Sequence, residues 1–251
     1  MSGHSKWSTI KHKKGANDAK RSKMFTTLAR AITIAAREGG GDPDMNITLR
    51  LAIDKAKAGN MPKDNIERAI KRGTGEDKDG AALERIVYEA YAPHGVALII
   101  ETVTDNRNRT VAELRHTLSH AGGSMGETGS VAWQFTPRAY FVVTTGERDE
   151  DDAYELAIEA GAEDVIYDEE LIELIGEGTA FKQIGDQLRL MGVQTEEAEL
   201  RMFPNQEMQL DPQKTVQVMR VIENLEELDD VQQVDSNLAI SDEALSILEA
   251  E

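Results

Sequence analysis

Apolar residues recur at helical spacing through the first third of the chain. Met24, Phe25, Leu28, Ile32 and Ala35 mark one stripe, and Gly39-Gly40-Gly41 stops it. A second stripe, Leu49, Ile53 and Ala56, predicts a helix over 46–58. A third helix is predicted from Pro62, a residue suited to a first helical turn, to Gly73. It puts Ile66, Ala69 and Ile70 on one face and leaves Lys63, Arg68, Lys71 and Arg72 for the other. From Leu83 the pattern changes to strands. Residues 84–91 alternate, 96–103 form an apolar run, and Pro93-His94-Gly95 turns between them. The polar loop 104–110 then enters a helix over 108–120. A glycine-rich loop follows, with strands predicted over 130–136 and 140–145.

Residues 139–203 read as one complete βαββαβ unit, the ferredoxin-like order. Its parts are strand 140–145, helix 150–160, strands near 163–167 and 171–175, helix 179–191 and strand 195–203. Strand 206–210, helix 212–226 and strand 231–236 follow it. They join the strands and helix before it into a second α+β unit that the first interrupts. The expected fold is therefore α+β and multidomain. A helical N-terminal domain precedes two ferredoxin-like α+β domains, the third inserted into the second. The expected ranges are 1–80 for the helical domain, 81–137 with 204–251 for the split domain, and 138–203 for the insertion.

Composition sharpens this reading. The chain has 251 residues and a net charge of −18. It has no cysteine, which removes thiol nucleophiles, disulfides and Cys-ligated metals together. No apolar run is long enough to span a membrane, and the start of the chain lacks the apolar core of a secretory signal. A cytoplasmic protein is expected. The charge is uneven: residues 1–80 hold 17 Lys+Arg against 10 Asp+Glu, net +7, and residues 81–251 hold 11 against 36, net −25. Such asymmetry suggests a polyanion-facing end on a solvating body.

Two clusters carry candidate chemistry. Gly3-His4-Ser5-Lys6-Trp7 and Ile10-Lys11-His12-Lys13-Lys14 combine cations with one indole. Lysines neutralise phosphates, and an indole stacks on an unpaired base or else folds back onto the helices. Lys20, Arg21 and Lys23 extend the basic run. The second cluster is Thr104-Asp105-Asn106-Arg107-Asn108-Arg109-Thr110. Here Asn106 and its neighbours suit a helix cap, and Arg107 and Arg109 suit phosphate oxygens. The same arginines equally suit pairing with the acidic body, so two readings stand. Gly122-Gly123-Ser124-Met125-Gly126 matches a nucleophile-elbow pattern, but the predicted order is helix, loop, strand, the reverse of what that chemistry needs. His116 and His120 are four apart with no carboxylate motif beside them, a weak metal signature. No phosphate loop or dinucleotide fingerprint is present, so no cofactor and no enzymatic activity are expected.

Five ordered motifs resemble the YebC family. They are Gly3–Trp7 with Ile10-Lys11-x-Lys13, and Pro62-x-Asp64-Asn65-Ile66-x-Arg68-Ala69-Ile70. Tyr88-Glu89-x-Tyr91-x-Pro93-x-Gly95, Thr104–Thr110 and Gly129-Ser130-Val131 complete the set. The mitochondrial translational activator of cytochrome c oxidase belongs to the same family. The resemblance spans nearly the whole chain. It implies three domains, the third inserted in the second, and a cytoplasmic nucleic-acid-binding regulator without enzymatic activity. It also implies one of two roles, a ribosome-engaging translation factor that relieves stalls at proline runs, or a DNA-binding transcriptional regulator. The expected partner is the ribosome and its RNA, with duplex DNA as the alternative, and no membrane.

Overall fold

The computed structural model describes residues 18–76, 83–168 and 170–249. Three helices come first: α1 (Asp18–Gly39), α2 (Ile47–Ala58) and α3 (Lys63–Thr74). Their apolar stripes meet in one core of Leu28, Ile32, Ala35, Leu49, Ile53, Ile66 and Ala69. Buried Asn46 makes the α1–α2 corner. Its Oδ1 accepts from Leu49 N at 3.0 Å, capping α2. Its Nδ2 donates to the carbonyls of Ala35 and Gly40, both at 2.8 Å, which satisfies the end of α1.

Gly73 does not stop α3, contrary to the sequence reading. The helix runs one residue further, and Gly75 closes it at φ 79°. Gly73 is instead a contact point with α1. A Cβ there would lie 2.4 Å from the Thr33 carbonyl and 2.7 Å from the Ala36 Cβ, so only glycine lets the two helices approach.

The split unit contains β1 (Glu84–Tyr91), β2 (Ala97–Thr104), α4 (Arg107–His120) and β3 (Ser124–Met125) before the insertion. The insertion is β4 (Phe135–Thr144), α5 (Glu150–Ala160), β5 (Asp164–Tyr167), β6 (Leu171–Glu177), α6 (Phe181–Leu190) and β7 (Thr195–Pro204). After it come α7 (Pro212–Glu226), β8 (Val231–Ser236) and α8 (Asp242–Glu249), the last without a counterpart in the sequence reading. The insertion's sheet has the order β5-β6-β4-β7, all antiparallel, which is the ferredoxin-like order. The split unit's sheet is β3-β1-β2-β8, with the β1–β2 hairpin central. Because β8 follows the insertion and pairs with β2, the chain returns to complete the first sheet. Helices α4, α7 and α8 cover one face of it, around Leu98, Ile100, Leu114, Leu118, Met219, Val221 and Leu248.

Three local readings are corrected. The predicted strands 130–136 and 140–145 are one strand, β4, starting at Phe135. Pro137 does not break it. Its carbonyl turns toward Gly178, where β6 has already ended, so the missing N–H removes no ladder bond on that side. Residues 132–134 form a 3-10 turn rather than strand. The amides of Gly129, Val131 and Ala132 are drawn onto the carboxylate of Glu89, as described below. Segment 206–210, set between Pro204 and Pro212, forms a single bridge, Met208 to Leu238, and no strand.

Candidate nucleic-acid interface

His4, Lys6, Trp7, Lys11, Lys13 and Lys14 lie outside the described residues. Lys20 and Arg21 lie in the first turn of α1. Lys23 is half-buried and already engaged. Among the described residues, helix α3 presents the clearest cationic surface. Lys63 pairs loosely with Glu67 one turn on, at 3.6 Å, a surface contact that contributes little. The side chains of Arg68 and Lys71 are exposed and make no hydrogen bond or ion pair among the described residues. Arg72 is half-buried and engaged. Two cations thus point to solvent uncommitted, opposite the buried Ile66–Ala69 face.

The 104–110 loop is organised differently. Asn106 caps α4, its Oδ1 accepting from Arg109 N at 3.2 Å. Arg109 Nη2 donates to both oxygens of Asp230, at 2.8 and 2.9 Å, and to Asp105 at 2.9 Å. Arg107 Nε donates to Glu84 at 2.8 Å. Of the two readings of these arginines, pairing with the acidic body is the one the geometry displays. Both pairs use Nε and Nη2 of the guanidinium, and the Arg107 side chain is still 68% exposed.

Asp230 is the hub of this arrangement and is 1% exposed. It also accepts from Thr110 Oγ1 at 2.6 Å and Thr104 Oγ1 at 3.0 Å. Arg30 of α1 reaches it at 2.7 Å and donates to the neighbouring Asp229 carbonyl as well. Burial alone would push the Asp230 carboxyl up. The Thr110 and Arg109 bonds, the Arg30 charge and the Thr104 bond outweigh it and hold the group below its ordinary value. Arg37 donates to the Leu83 carbonyl, a second tie from α1 to the split unit.

Helix α2 ties the helical unit to the insertion. Ile47 and Leu51 pack onto the insertion's core. Lys55 Nζ lies 3.5 Å from Glu197, and Arg50 3.7 Å from Asp186. Behind Lys55, Arg201 pairs with Glu197 at 3.3 Å and with Glu199, and its guanidinium sits 4.1 Å above the Tyr140 ring. Asp235 of β8 borders this group, accepting from Met202 N at 3.1 Å and Gln233 Nε2 at 2.8 Å. Burial pushes the Asp235 carboxyl up to about 7, against the pull of those donors and of Arg201.

Glu89, 9% exposed, organises the glycine-rich loop. It accepts from the backbone N–H of Gly129 and Val131, each at 2.6 Å, and of Ala132 at 2.8 Å. Burial works to raise its pKa, but the three amides prevail and lower it. Beyond this loop stands Trp133, 72% exposed.

Sequence reasoning missed Asp230, Arg30, Glu89, Asp235 and Trp133. Residues 30, 104, 109, 110 and 230 share no spacing, and Asp229-Asp230 reads in one dimension as the end of a helix. Glu89 falls in an alternating strand and gives no sign of its loop partners. The one available signal was the isolated polar residue inside an apolar stretch.

The serine of the glycine-rich loop lies on β3, after a helix, so the elbow geometry is absent there. The rings of His116 and His120 are 6.2 Å apart, and no group of three metal-ligating side chains occurs among the described residues. No helix among the described residues is long and apolar enough to cross a membrane.

Comparison with known proteins agrees with this architecture. The TACO1/YebC protein N-terminal domain matches residues 5–76, and the TACO1/YebC second and third domain matches residues 83–238. A protein of Halothermothrix orenii is 50% identical over 248 residues, 98% of each chain. One of Shewanella oneidensis is 51% identical over 249 residues, 99% of this chain and 100% of that one. Both are named probable transcriptional regulatory protein. The crystal structure of a conserved hypothetical protein from Aquifex aeolicus superposes with a TM-score of 0.82 at 42% identity, covering 90% of this chain and 93% of that one.

Proposed function

The chain belongs to the TACO1/YebC family, and from that premise we propose that it is a non-enzymatic, nucleic-acid-binding regulator of gene expression acting as a ribosome-associated translation factor. One observation carries the reading: the uncommitted Arg68 and Lys71 stand on a +7 helical end that Arg30 braces against a −25 body. A polyanion is drawn to that end and repelled elsewhere. This suits a local wedge into folded RNA better than wrapping of long duplex DNA. Lys11, Lys13 and Lys14 would neutralise phosphates, and Trp7 would stack on a base. Arg107 and Arg109 would join while shared with the carboxylates that already hold them.

The test is ribosome co-sedimentation of the chain with Lys11, Lys13 and Lys14 changed to alanine. Weakened binding with a flatter salt dependence is expected. Unchanged binding removes the assignment. A second reading, a regulator of transcription on duplex DNA, is favoured by the printed name of the relatives. Crosslinking in cells and sequencing of the bound nucleic acid separates the two: ribosomal RNA supports the first, promoter DNA the second.

A further inference from the structure

Trp133 stands on the 3-10 turn Ala132–Gln134, between the split sheet and β4. A solitary exposed apolar side chain needs no special account. This one differs in being fixed. Its Nε1 donates to the Ser130 carbonyl at 3.0 Å, and its own carbonyl accepts from Asn205 Nδ2 at 3.1 Å. The Ser130 carbonyl also accepts from Tyr91 Oη at 3.2 Å. Buried Val131 and Phe135 anchor the chain on either side, and Glu89 pins the amides just before it. The polar edge of the indole is therefore satisfied within the protein, and most of the rest of the ring system is open to solvent.

We propose that Trp133 is a stacking platform for an unpaired nucleobase, a contact distinct from the basic helical face. The inference rests on the nucleic-acid reading above and adds a second site to it. A planar, uncharged ligand fits because no cation is bonded to this turn among the described residues. The exposed side chains next to the turn are uncharged: Asn205, whose Nδ2 holds the Trp133 carbonyl, and Thr136, whose Oγ1 lies 2.6 Å from Asn205 Oδ1. Hydroxyls and amides of this kind suit a base edge, and base–aromatic stacking is indifferent to sequence. A second copy of the chain is a poor occupant. One side chain offers a small fraction of the roughly 1,000 Å² that a specific protein interface buries.

The test uses the full chain with both tryptophans replaced biosynthetically by 5-fluorotryptophan. The fluorine resonance missing from Trp133→Phe identifies Trp133. Adding single-stranded oligouridylate should shift that resonance, and equal-length duplex RNA should not. In the unlabelled chain, Trp133→Ala should weaken binding of labelled oligouridylate by about 5- to 150-fold, and Trp133→Phe far less. Binding that persists in Trp133→Ala with no fluorine shift overturns the inference and leaves the nucleic-acid reading standing. Equal shifts with duplex also overturn it, as does a shift with protein concentration alone. Failure of the chain to bind any RNA removes both.

Discussion

Arg30 of α1 and Asp230, immediately before β8, are joined at 2.7 Å across the boundary between the helical unit and the split unit. Asp230 has no solvent to fall back on, since only 1% of it is exposed. A buried charge loses far more when its partners go than an exposed pair gains by forming. Asp230→Ala leaves Arg109, Thr104 and Thr110 without their shared acceptor. A loss of about 3–5 kcal/mol is expected, the scale for breaking a buried pair. Arg30→Gln should cost less, because three donors to Asp230 remain. Calorimetric unfolding of the two variants checks the order.

The same group sets a lower pH limit. Its folded pKa lies below the unfolded one, so its stabilising effect is present above the unfolded pKa and fades as pH falls through the folded value. Asp230→Asn should remove that part of the acid dependence. Thermal melts below pH 5 would show a shallower decline in the variant.

Asp235 acts in the opposite direction. Burial raises it to about 7, so its contribution is fully present below the unfolded carboxylate range and is lost as pH rises through about 7. The charged side chains around it are Arg201 and Glu199 on β7, and its direct donors are Gln233 and the Met202 amide. Asp235→Asn keeps the neutral shape and should flatten the melting temperature between pH 5.5 and 8. A wild-type melting temperature that rises over that range would contradict this assignment.

Glu89→Gln tests the loop beneath Trp133. An amide offers one acceptor oxygen where the carboxylate offers two, so at least one of the Gly129, Val131 and Ala132 amides loses its bond. Hydrogen bonds to charged groups contribute about 1.5–3 kcal/mol. Exchange of those three amides with solvent deuterium should accelerate, while the core amides of β1 and β2 stay protected.

The elements themselves were legible because their signals are local. Periodicity and punctuation are written in adjacent residues: the helical stripes, Pro62 before α3, and the βαββαβ order. The errors share another origin. Gly73 looks like a stop and is a contact with α1, because the Thr33 carbonyl lies where a Cβ would go. The 130–136 segment looks like a strand and becomes a turn because Glu89, about 40 residues earlier, takes its amides. For Arg107 and Arg109 the sequence leaves phosphate contact and acidic pairing equally open, and only the fold identifies Glu84 and Asp230 as their partners. Each correction depends on a partner distant in sequence, and a one-dimensional pattern carries no such information.

That difference in commitment separates cations that sequence alone treats as equal. Arg68 and Lys71 need give up nothing to meet a phosphate, so each that makes a contact releases counterion directly. For single-stranded RNA the slope of log K against log salt changes by about 0.7 per phosphate neutralised, and for duplex by about 0.9. The double variant Arg68→Ala, Lys71→Ala should therefore flatten the slope by about 1.4 on single strands or about 1.8 on duplex. Arg107→Ala should change it less, because in the wild type that guanidinium is partly neutralised by Glu84. Filter binding at several salt concentrations measures both variants. An Arg107 effect equal to the double variant's would show that the Glu84 pair opens freely, making the loop rather than α3 the primary phosphate contact.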